Sequence, residues 1–133
     1  MIVADTNLIA YFIIPGPNVA LAQKVLRKDS VWAAPLLWRS EFRNILALYL
    51  RQGHIGLPAA LQYMEEAELL LAGNESEVDS APVLAAANSS GCTAYDCEFV
   101  HVAQSLGVPL VTSDKKLLRE FSQVAVSPED FVR

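Results

Sequence analysis

Short apolar runs along this chain alternate with longer segments in which apolar residues recur at a helical period. Four runs have the length of buried strands: Ile2-Val3-Ala4, Val31-Trp32-Ala33, Leu110-Val111-Thr112 and Val124-Ala125-Val126. Continuous apolar strands separated by amphipathic helices are typical of a parallel sheet that helices cover on both faces. We therefore expect an α/β fold with such a sheet, in a single domain spanning residues 1–133.

The helical segments are predicted from apolar stripes and from residues that start or stop a helix. They cover about 19–29 after a cap at Asn18, about 36–52, 57–71, 79 or 80 to 89, 95–106 and 115–121, with a last turn from Ser127. Gly53 and Gly107 are the expected stops of the second and fifth segments.

Several apolar side chains are expected to belong to the core. In the segment 57–71 these are Leu57, Leu61, Met64 and Leu69. Trp32 and Trp38 are interpreted as core or dimer-interface aromatics. Cys92 and Cys97 have no further Cys or His at zinc-ligand spacing, so we expect reduced, structural thiols.

Two aspartates follow predicted strands. Asp5 comes directly after Ile2-Val3-Ala4, and Asp114 follows Leu110-Val111-Thr112 after one residue. In open parallel sheets, ligands bind beyond the carboxyl ends of the strands, at the point where the strand order reverses. Both acids are therefore candidates for a functional site. The alternative for Asp5 is a turn residue that ends the strand, with Asn7 capping a helix that follows.

Two more acids lie on the apolar side of predicted helices. Glu41 interrupts a stripe of Leu37, Ile45 and Leu48, and Asp96 lies in the first turn of the segment 95–106. Because both helices must pack on the sheet, we expect these acids to approach the strand-end aspartates. The alternatives are a buried ion pair for Glu41, with Arg39 or Arg43 as its partner, and a favourable helix-dipole interaction for Asp96.

A cluster of four carboxylates requires compensation by cations or protons. Two carboxylates about 5 Å apart repel each other by roughly 3 kcal/mol at an effective dielectric constant near 20. Oxygen ligands without His or Cys favour Mg²⁺ or Mn²⁺, and Mg²⁺ commonly takes further ligands from a phosphate. Such ions can activate water and orient a phosphodiester for hydrolysis, so the cluster predicts a phosphorylated substrate.

Composition and charge limit the partners. The chain carries 15 acidic and 10 basic residues and a net charge of −5. This balance disfavours non-specific binding of nucleic acid unless cations fill the acid cluster and the bases are grouped. No apolar run approaches about 18 residues, and the apolar N-terminus lacks a basic leader, so we expect a soluble cytoplasmic protein without a membrane partner.

Four motifs in order resemble those of PIN-domain nucleases, and among them the VapC-type toxins of prokaryotic toxin-antitoxin systems. They are Val3-Ala4-Asp5-Thr6-Asn7, the segment 40–46 (SEFRNIL), the segment 94–103 (AYDCEFVHVA) and the segment 109–117 (PLVTSDKKL). The resemblance covers essentially the whole chain. It implies a Rossmann-like parallel sheet, hydrolysis of RNA, frequent homodimers and inhibition by a cognate antitoxin protein.

The resemblance also assigns roles to residues. The metal-binding and catalytic acids of the family match Asp5, Glu41, Asp96 and Asp114. The polar positions that commonly assist by hydrogen bonding or through metal-bound water match Asn7, Thr112 and Ser113. Glu98 is left out of the ligand set because it should project away from the face of Asp96.

Other polar residues receive weaker interpretations. Contact with RNA or an antitoxin is considered for the bases near the motifs, namely Arg39, Arg43, Lys115 and Lys116, although solvated side chains are the simpler interpretation. His54 and His101 are interpreted as surface or packing residues.

Two rival functions remain open. A haloacid-dehalogenase-like phosphatase typically has Asp-x-Asp after its first strand, but this chain has Asn7 in place of the second acid. The other rival is a catalytically silent module that keeps the fold and binds RNA or a protein.

Overall fold

Five short strands alternate with eight helices in the structure, a computed structural model that describes all of residues 1–133. The strands are β1 (Ile2–Ala4), β2 (Trp32–Pro35), β3 (Glu75–Ser76), β4 (Leu110–Val111) and β5 (Ala125–Val126). The helices are α1 (Thr6–Ile13), α2 (Val19–Lys28), α3 (Leu37–Arg51), α4 (Leu57–Leu71), α5 (Ser80–Ser90), α6 (Ala94–Leu106), α7 (Lys115–Glu120) and α8 (Pro128–Phe131).

The strands form one parallel sheet in the order β3-β2-β1-β4-β5. The central strand β1 pairs with β2 through Ile2 and Trp32, and with β4 through Ala4 and Val111. The chain runs outward from β1 to β3 on one side and then returns to build β4 and β5 on the other. The strand order therefore reverses between β1 and β4, as a doubly wound sheet requires.

Helices flank this sheet, so the predicted α/β class with helix-covered faces is confirmed. Helix α6 packs against β1, β2 and β4 and carries α5 with it, while α3 and α4 pack against β2 and against each other. The three residues of β1 are completely buried. Trp32 and Trp38 are also completely buried, which confirms them as core side chains. No helix of the chain combines the length and the apolar character that a membrane span needs.

Strand β3 was not predicted, because its two residues are polar. It is held at the edge of the sheet by backbone hydrogen bonds to β2 and by Glu75, whose carboxylate accepts two hydrogen bonds from Arg39, at 2.6 and 2.7 Å. Trp38 Nε1 donates to the same carboxylate at 2.9 Å, and Arg39 Nη1 also donates to Glu68 at 3.1 Å. The hydrogen bond from Arg39 is the main cause that lowers the pKa of Glu75. These contacts join α3, α4 and β3.

Helix α1 was not among the predicted helices, and a helix at this place entered only through the alternative in which Asn7 caps it. Asp5 occupies the N-cap position, and Asn7 lies inside the first turn instead of capping it. The helix buries Leu8, Ile9 and Ala10 between the sheet and other helices, so it lacks the polar face that reveals a helix in a sequence. The other predicted helix boundaries agree with the structure to within one or two residues, the range over which helix ends are ordinarily defined.

The predicted core face of α4 is wrong. Leu57, Leu61 and Leu69 are 58%, 62% and 71% exposed, and only Met64 is partly buried. The buried residues of this helix are Ala60, Ala67 and Leu71. Small alanine side chains let α4 approach its neighbours closely, and an apolar stripe of large leucines is therefore left facing outward.

Both cysteines are free and buried, as predicted. Burial raises the pKa of the Cys97 thiol, which keeps it protonated.

Leu71→Ala and Leu69→Ala make the same chemical change on opposite faces of α4. Leu71→Ala should lower the free energy of unfolding by about 2–5 kcal/mol, because it opens a cavity at a completely buried position. Leu69→Ala, at an exposed position, should change it by less than about 0.5 kcal/mol. Urea denaturation of both variants measures the difference, and equal losses would show that the buried face has been assigned incorrectly.

Candidate metal and nuclease site

The candidate site lies at the carboxyl ends of β1 and β4, where the strand order reverses. Asp5 follows β1 directly, and its backbone N–H donates to the carbonyl oxygen of Val111 at 3.1 Å. This hydrogen bond ties the start of α1 to the end of β4. Asp114 follows β4 at the N-cap of α7, so the two strand-end acids border the same crevice, as the sequence predicts.

A completely buried threonine links these two acids. Thr112 Oγ1 donates to Asp5 Oδ2 at 2.5 Å and accepts from the backbone N–H of Asp114 at 3.0 Å. Asp114 Oδ1 in turn accepts from the N–H of Leu117 at 2.9 Å and caps α7. Thr112 thus orients Asp5 by a hydrogen bond, while its assisting role in a reaction stays a prediction.

Glu41 is held from the other side of the crevice by Thr6, a residue that the sequence interpretation did not single out. The Thr6 hydroxyl, in a side chain that is 4% exposed, donates to Glu41 Oε1 at 2.7 Å. Glu41 forms no ion pair with Arg39 or Arg43, so that alternative is wrong. A polar β-branched residue directly after Asp5 in a buried helix is the signal that could have revealed Thr6.

The stripe on which Glu41 was placed is not the most buried face of α3. That face carries Trp38, Phe42 and Leu46, whereas Glu41 and Ile45 are half-buried and Leu48 is 43% exposed. The Glu41 carboxylate therefore lies at the border between core and solvent, which suits a group that must meet a ligand.

Asp96 lies in the first turn of α6, where its backbone N–H donates to the Thr93 hydroxyl at 3.1 Å. The side chain is half-buried. Its location at a helix start agrees with the alternative of a favourable helix-dipole interaction. Neighbouring acids also act on Asp96, so the helix dipole is not the only influence on its charge.

Burial and mutual repulsion raise three pKa values at this site. Burial is the largest cause that raises the pKa of Asp5, Glu41 and Asp96. The charge of Asp96 adds to the rise for Asp5, the charges of Asp5 and Asp96 add to it for Glu41, and that of Asp114 adds to it for Asp96. The structure therefore brings the four predicted acids into one interacting group.

Hydrogen bonds oppose these shifts and favour the ionised acids. The Thr112 hydroxyl lowers the pKa of Asp5, and the Thr6 hydroxyl lowers that of Glu41. Lys116 lowers the pKa of Asp96 by its charge and donates to the carbonyl of Gly91 at 2.7 Å. These crowded, partly buried carboxylates provide the oxygen donors that a hard divalent cation prefers, so the donor set fits Mg²⁺ or Mn²⁺.

The side chains as they stand do not close around an ion. No three His, Cys, Asp or Glu side chains are arranged so that they could hold a metal together. Two of the carboxylates instead point one oxygen at a threonine. The assignment of the four acids as metal ligands stays a prediction.

Glu98 lies near enough to this group to act on it electrostatically, while its exclusion from the metal ligands stays a prediction. It is half-buried, burial raises its pKa, and its charge helps to raise the pKa of Glu41. Position on α6 correctly separates Glu98 from Asp96, but it did not reveal that α3 brings Glu41 toward Glu98.

The remaining predicted polar residues differ in the contacts that their side chains make. The side chains of Asn7 and Ser113 are exposed and form no hydrogen bond within the protein. Asn7 acts on the acids through its backbone, whose hydrogen bond to Asp5 lowers the pKa of that residue. Arg39 is committed to Glu75 and Glu68, which disfavours the contact considered for it with RNA or an antitoxin. Arg43 and Lys115 are exposed.

The two histidines lie apart from the acids. His101 Nε2 is 3.9 Å from a carboxylate oxygen of Asp79, and the exposed His54 packs its ring edgewise against Tyr49. Both agree with the predicted surface or packing roles.

Comparison with known proteins decides the family. The family model described as the PIN domain matches residues 2–125, nearly the whole chain. The chain belongs to the PIN domain family. This confirms the resemblance seen in the four motifs. A search of curated proteins gave no match.

Solved structures share the fold of this PIN domain. PAE2754 from Pyrobaculum aerophilum superimposes with a TM-score of 0.78 at 24% identity, covering 98% of this chain and 85% of that one. FitAcB from Neisseria gonorrhoeae superimposes with a TM-score of 0.72 at 22% identity, covering 97% of this chain and 99% of that one. FitAB bound to an IR36 DNA fragment superimposes with a TM-score of 0.71 at 24% identity, covering 96% of this chain and 95% of that one. At these identities the likeness concerns the fold.

Thr112→Val should destabilise the protein by about 1–3 kcal/mol, because the isosteric change leaves the buried N–H of Asp114 and the Asp5 carboxylate without their partner. It should also raise the pKa of Asp5 further. Thr112→Ser keeps the hydroxyl and serves as the control. Urea denaturation measures the free energy of unfolding, and NMR titration of the Asp5 carboxyl group measures its pKa. Equal values for Thr112→Val and Thr112→Ser would contradict the role given to the hydroxyl.

Asp5→Asn should leave the free energy of unfolding of the metal-free protein unchanged or higher at neutral pH. The pKa of Asp5 is raised in the folded state above its ordinary value of 3.8, so the folded state binds the proton more tightly. Stability must then fall as pH rises from 3.8 through the raised pKa, and Asn should flatten that fall. Denaturation between acidic and neutral pH measures it, whereas a large drop in melting temperature would mark Asp5 as structural.

Proposed function

We propose that this PIN domain is a Mg²⁺- or Mn²⁺-dependent endoribonuclease that hydrolyses RNA phosphodiester bonds. The observation that carries the proposal is the group of four interacting acids at the strand-order reversal, with Asp5 and Glu41 each held by a threonine hydroxyl. Repelling carboxylates cost stability, and a divalent cation held by these acids would offset this cost and attract a phosphate.

Asp5, Glu41, Asp96 and Asp114 are the residues that would hold the cation. When bound, a divalent cation supplies Lewis acidity, which makes water a better nucleophile and stabilises negative charge on the phosphate. No side-chain nucleophile is needed for this chemistry.

The other residues of the site prepare it for the reaction. Thr112 and Thr6 fix the orientation of the Asp5 and Glu41 carboxylates before substrate arrives, since each donates a hydrogen bond to one oxygen. Fixed groups of this kind require little reorganisation during the reaction. Lys116, whose charge already acts on Asp96, provides a cation at the rim for a phosphate.

Local positive charge would allow this acidic protein to bind RNA. The net charge of −5 includes the acids of the site, which cations would neutralise. Lys115, Lys116 and Arg43 are the exposed bases near the motifs, and we propose them as phosphate contacts. Arg39 is left out because its guanidinium is already paired.

We further propose that the protein is a VapC-type toxin, acting in the cytoplasm as a homodimer that a cognate antitoxin protein inhibits. Four sequence motifs resembling VapC-type toxins and a fold shared with FitAcB and FitAB support this. A small upstream reading frame encoding a DNA-binding protein, and co-purification of its product with this chain, would support the assignment.

A second function is a catalytically silent module that binds RNA or a protein. The observation that favours it is the lack of any three acids arranged to hold an ion together. It requires that RNA stays intact whether or not metal is added.

Metal addition is expected to raise the melting temperature of the wild-type protein by mass action and to start cleavage of an RNA panel that EDTA stops. Asp5→Asn and Asp114→Asn should lose both effects. Asp79→Asn is the matched control, since Asp79 is 89% exposed and lies outside the site, and it should keep both. Differential scanning fluorimetry and gel analysis measure these outcomes.

RNA that stays intact with Mg²⁺ and with Mn²⁺, together with calorimetry that detects no metal binding, would overturn the nuclease proposal. Metal binding without cleavage would favour the silent module.

A further inference from the structure

A cavity of about 750 Å³ opens beside the acids and is lined by 14 residues. It lies between α1, the loop that follows α1, α3, the connection from α3 to α4, and Tyr63 of α4. Its ring-bearing and polar lining includes Tyr11, Tyr49, Tyr63, His54 and Asn7, and we call it the aromatic pocket. Its volume is in the range of pockets that take small organic ligands.

Two helices connect the aromatic pocket with the acids, because α1 begins directly after Asp5 and α3 carries Glu41. Asn7 lines it and is two residues beyond Asp5, and Ile45 lines it and is one turn beyond Glu41. At 1.5 Å per residue, Tyr11 lies about 9 Å along α1 from Asp5. A ligand in the pocket is thus within roughly two or three nucleotides of the acids, at about 3.4 Å per nucleotide of a stacked strand.

The lining excludes a phosphate as the preferred occupant. No Lys, Arg, Asp or Glu contributes to it, although 25 residues of the chain are charged. The part of the ligand that enters the pocket should therefore be uncharged. The part that reaches the acids, where a cation would be bound, should be charged. A nucleotide divides its properties in this way, between a neutral planar base and an anionic phosphate.

Aromatic and polar groups in the pocket suit a base. The rings of Tyr49 and His54 brace each other with centroids 6.0 Å apart at 86°. The side chains of Tyr11, Tyr49, Tyr63 and Asn7 form none of the hydrogen bonds within the protein, so their polar groups are free for a ligand. Single-stranded RNA is commonly recognised by stacking of unpaired bases on such rings.

We propose that the aromatic pocket is a subsite for an unpaired nucleobase of the RNA, adjacent to the phosphate that the acids cleave. This inference rests on the proposed nuclease function. It makes the enzyme selective for single-stranded substrates, because a base held in a duplex cannot enter the pocket.

The test combines an abasic substrate with pocket variants. In a single-stranded oligoribonucleotide, one abasic residue is moved stepwise past the cleavage position. At one or two positions near the scissile phosphate it should lower kcat/KM about ten-fold or more, because stacking of that base is lost. Tyr11→Leu and Tyr49→Leu should lower kcat/KM for the intact strand and reduce the abasic penalty, since both changes remove the same contact.

Two controls separate stacking from folding. Tyr11→Phe and Tyr49→Phe keep the ring and should keep the abasic penalty. Tyr95→Leu removes an exposed tyrosine outside the pocket and should leave the size of that penalty unchanged. Circular dichroism of each variant checks that it is folded.

Binding measured in the Asp5→Asn protein makes the test independent of cleavage. Fluorescence anisotropy of the same labelled strands should show the same position-dependent abasic penalty in Kd. An equal Kd and kcat/KM for all abasic positions, with RNA still cleaved by wild type, would overturn the subsite and leave the nuclease intact. An abasic penalty in binding without any cleavage by wild type would overturn the nuclease alone. Pocket variants that weaken the binding of a protein partner but not the binding or cleavage of RNA would also overturn the subsite.

Discussion

Repulsion among buried carboxylates is the constraint on which the rest of this site depends. Parallel pairing of β1 with β4 brings Asp5 close to Thr112 and Asp114, and packing of α3 and α6 adds Glu41 and Asp96. A protein without a use for such a group would gain stability by replacing its members. The threonine hydroxyls reduce the cost without neutralising the charge, and they leave the acids available to a cation.

The fold was predictable where sequence pattern and burial coincide. β1 and β4 are short apolar runs, and their following acids mark the carboxyl ends of strands. The pattern failed where a tertiary contact decides the structure. Strand β3 consists of Glu75 and Ser76 and exists because β2 and Arg39 hold it. The outward face of α4 was misassigned because Ala60 and Ala67, rather than the larger leucines, form its close contacts.

The site was predictable to a similar degree. Motif and spacing identified the four acids and Thr112, since each lies at a strand end, at a helix start or on a predicted helix face. Thr6 and Glu98 were not identified, because their importance comes from the approach of α3 to α1 and α6 rather than from their own segments. Arg39 was considered for contact with a partner because it is a base near a motif, but residues 29 and 36 positions away already hold it.

If the four acids act as one cation site, a bound ion must lie between them. The most direct measurement is a crystal structure of the protein grown with Mn²⁺, using the anomalous signal to locate the ion. We expect an anomalous peak among Asp5, Glu41, Asp96 and Asp114, with carboxylate oxygens as its ligands. Mn²⁺ bound only elsewhere, with Thr6 and Thr112 still holding Glu41 and Asp5 and no peak between the acids at saturating metal, would contradict it.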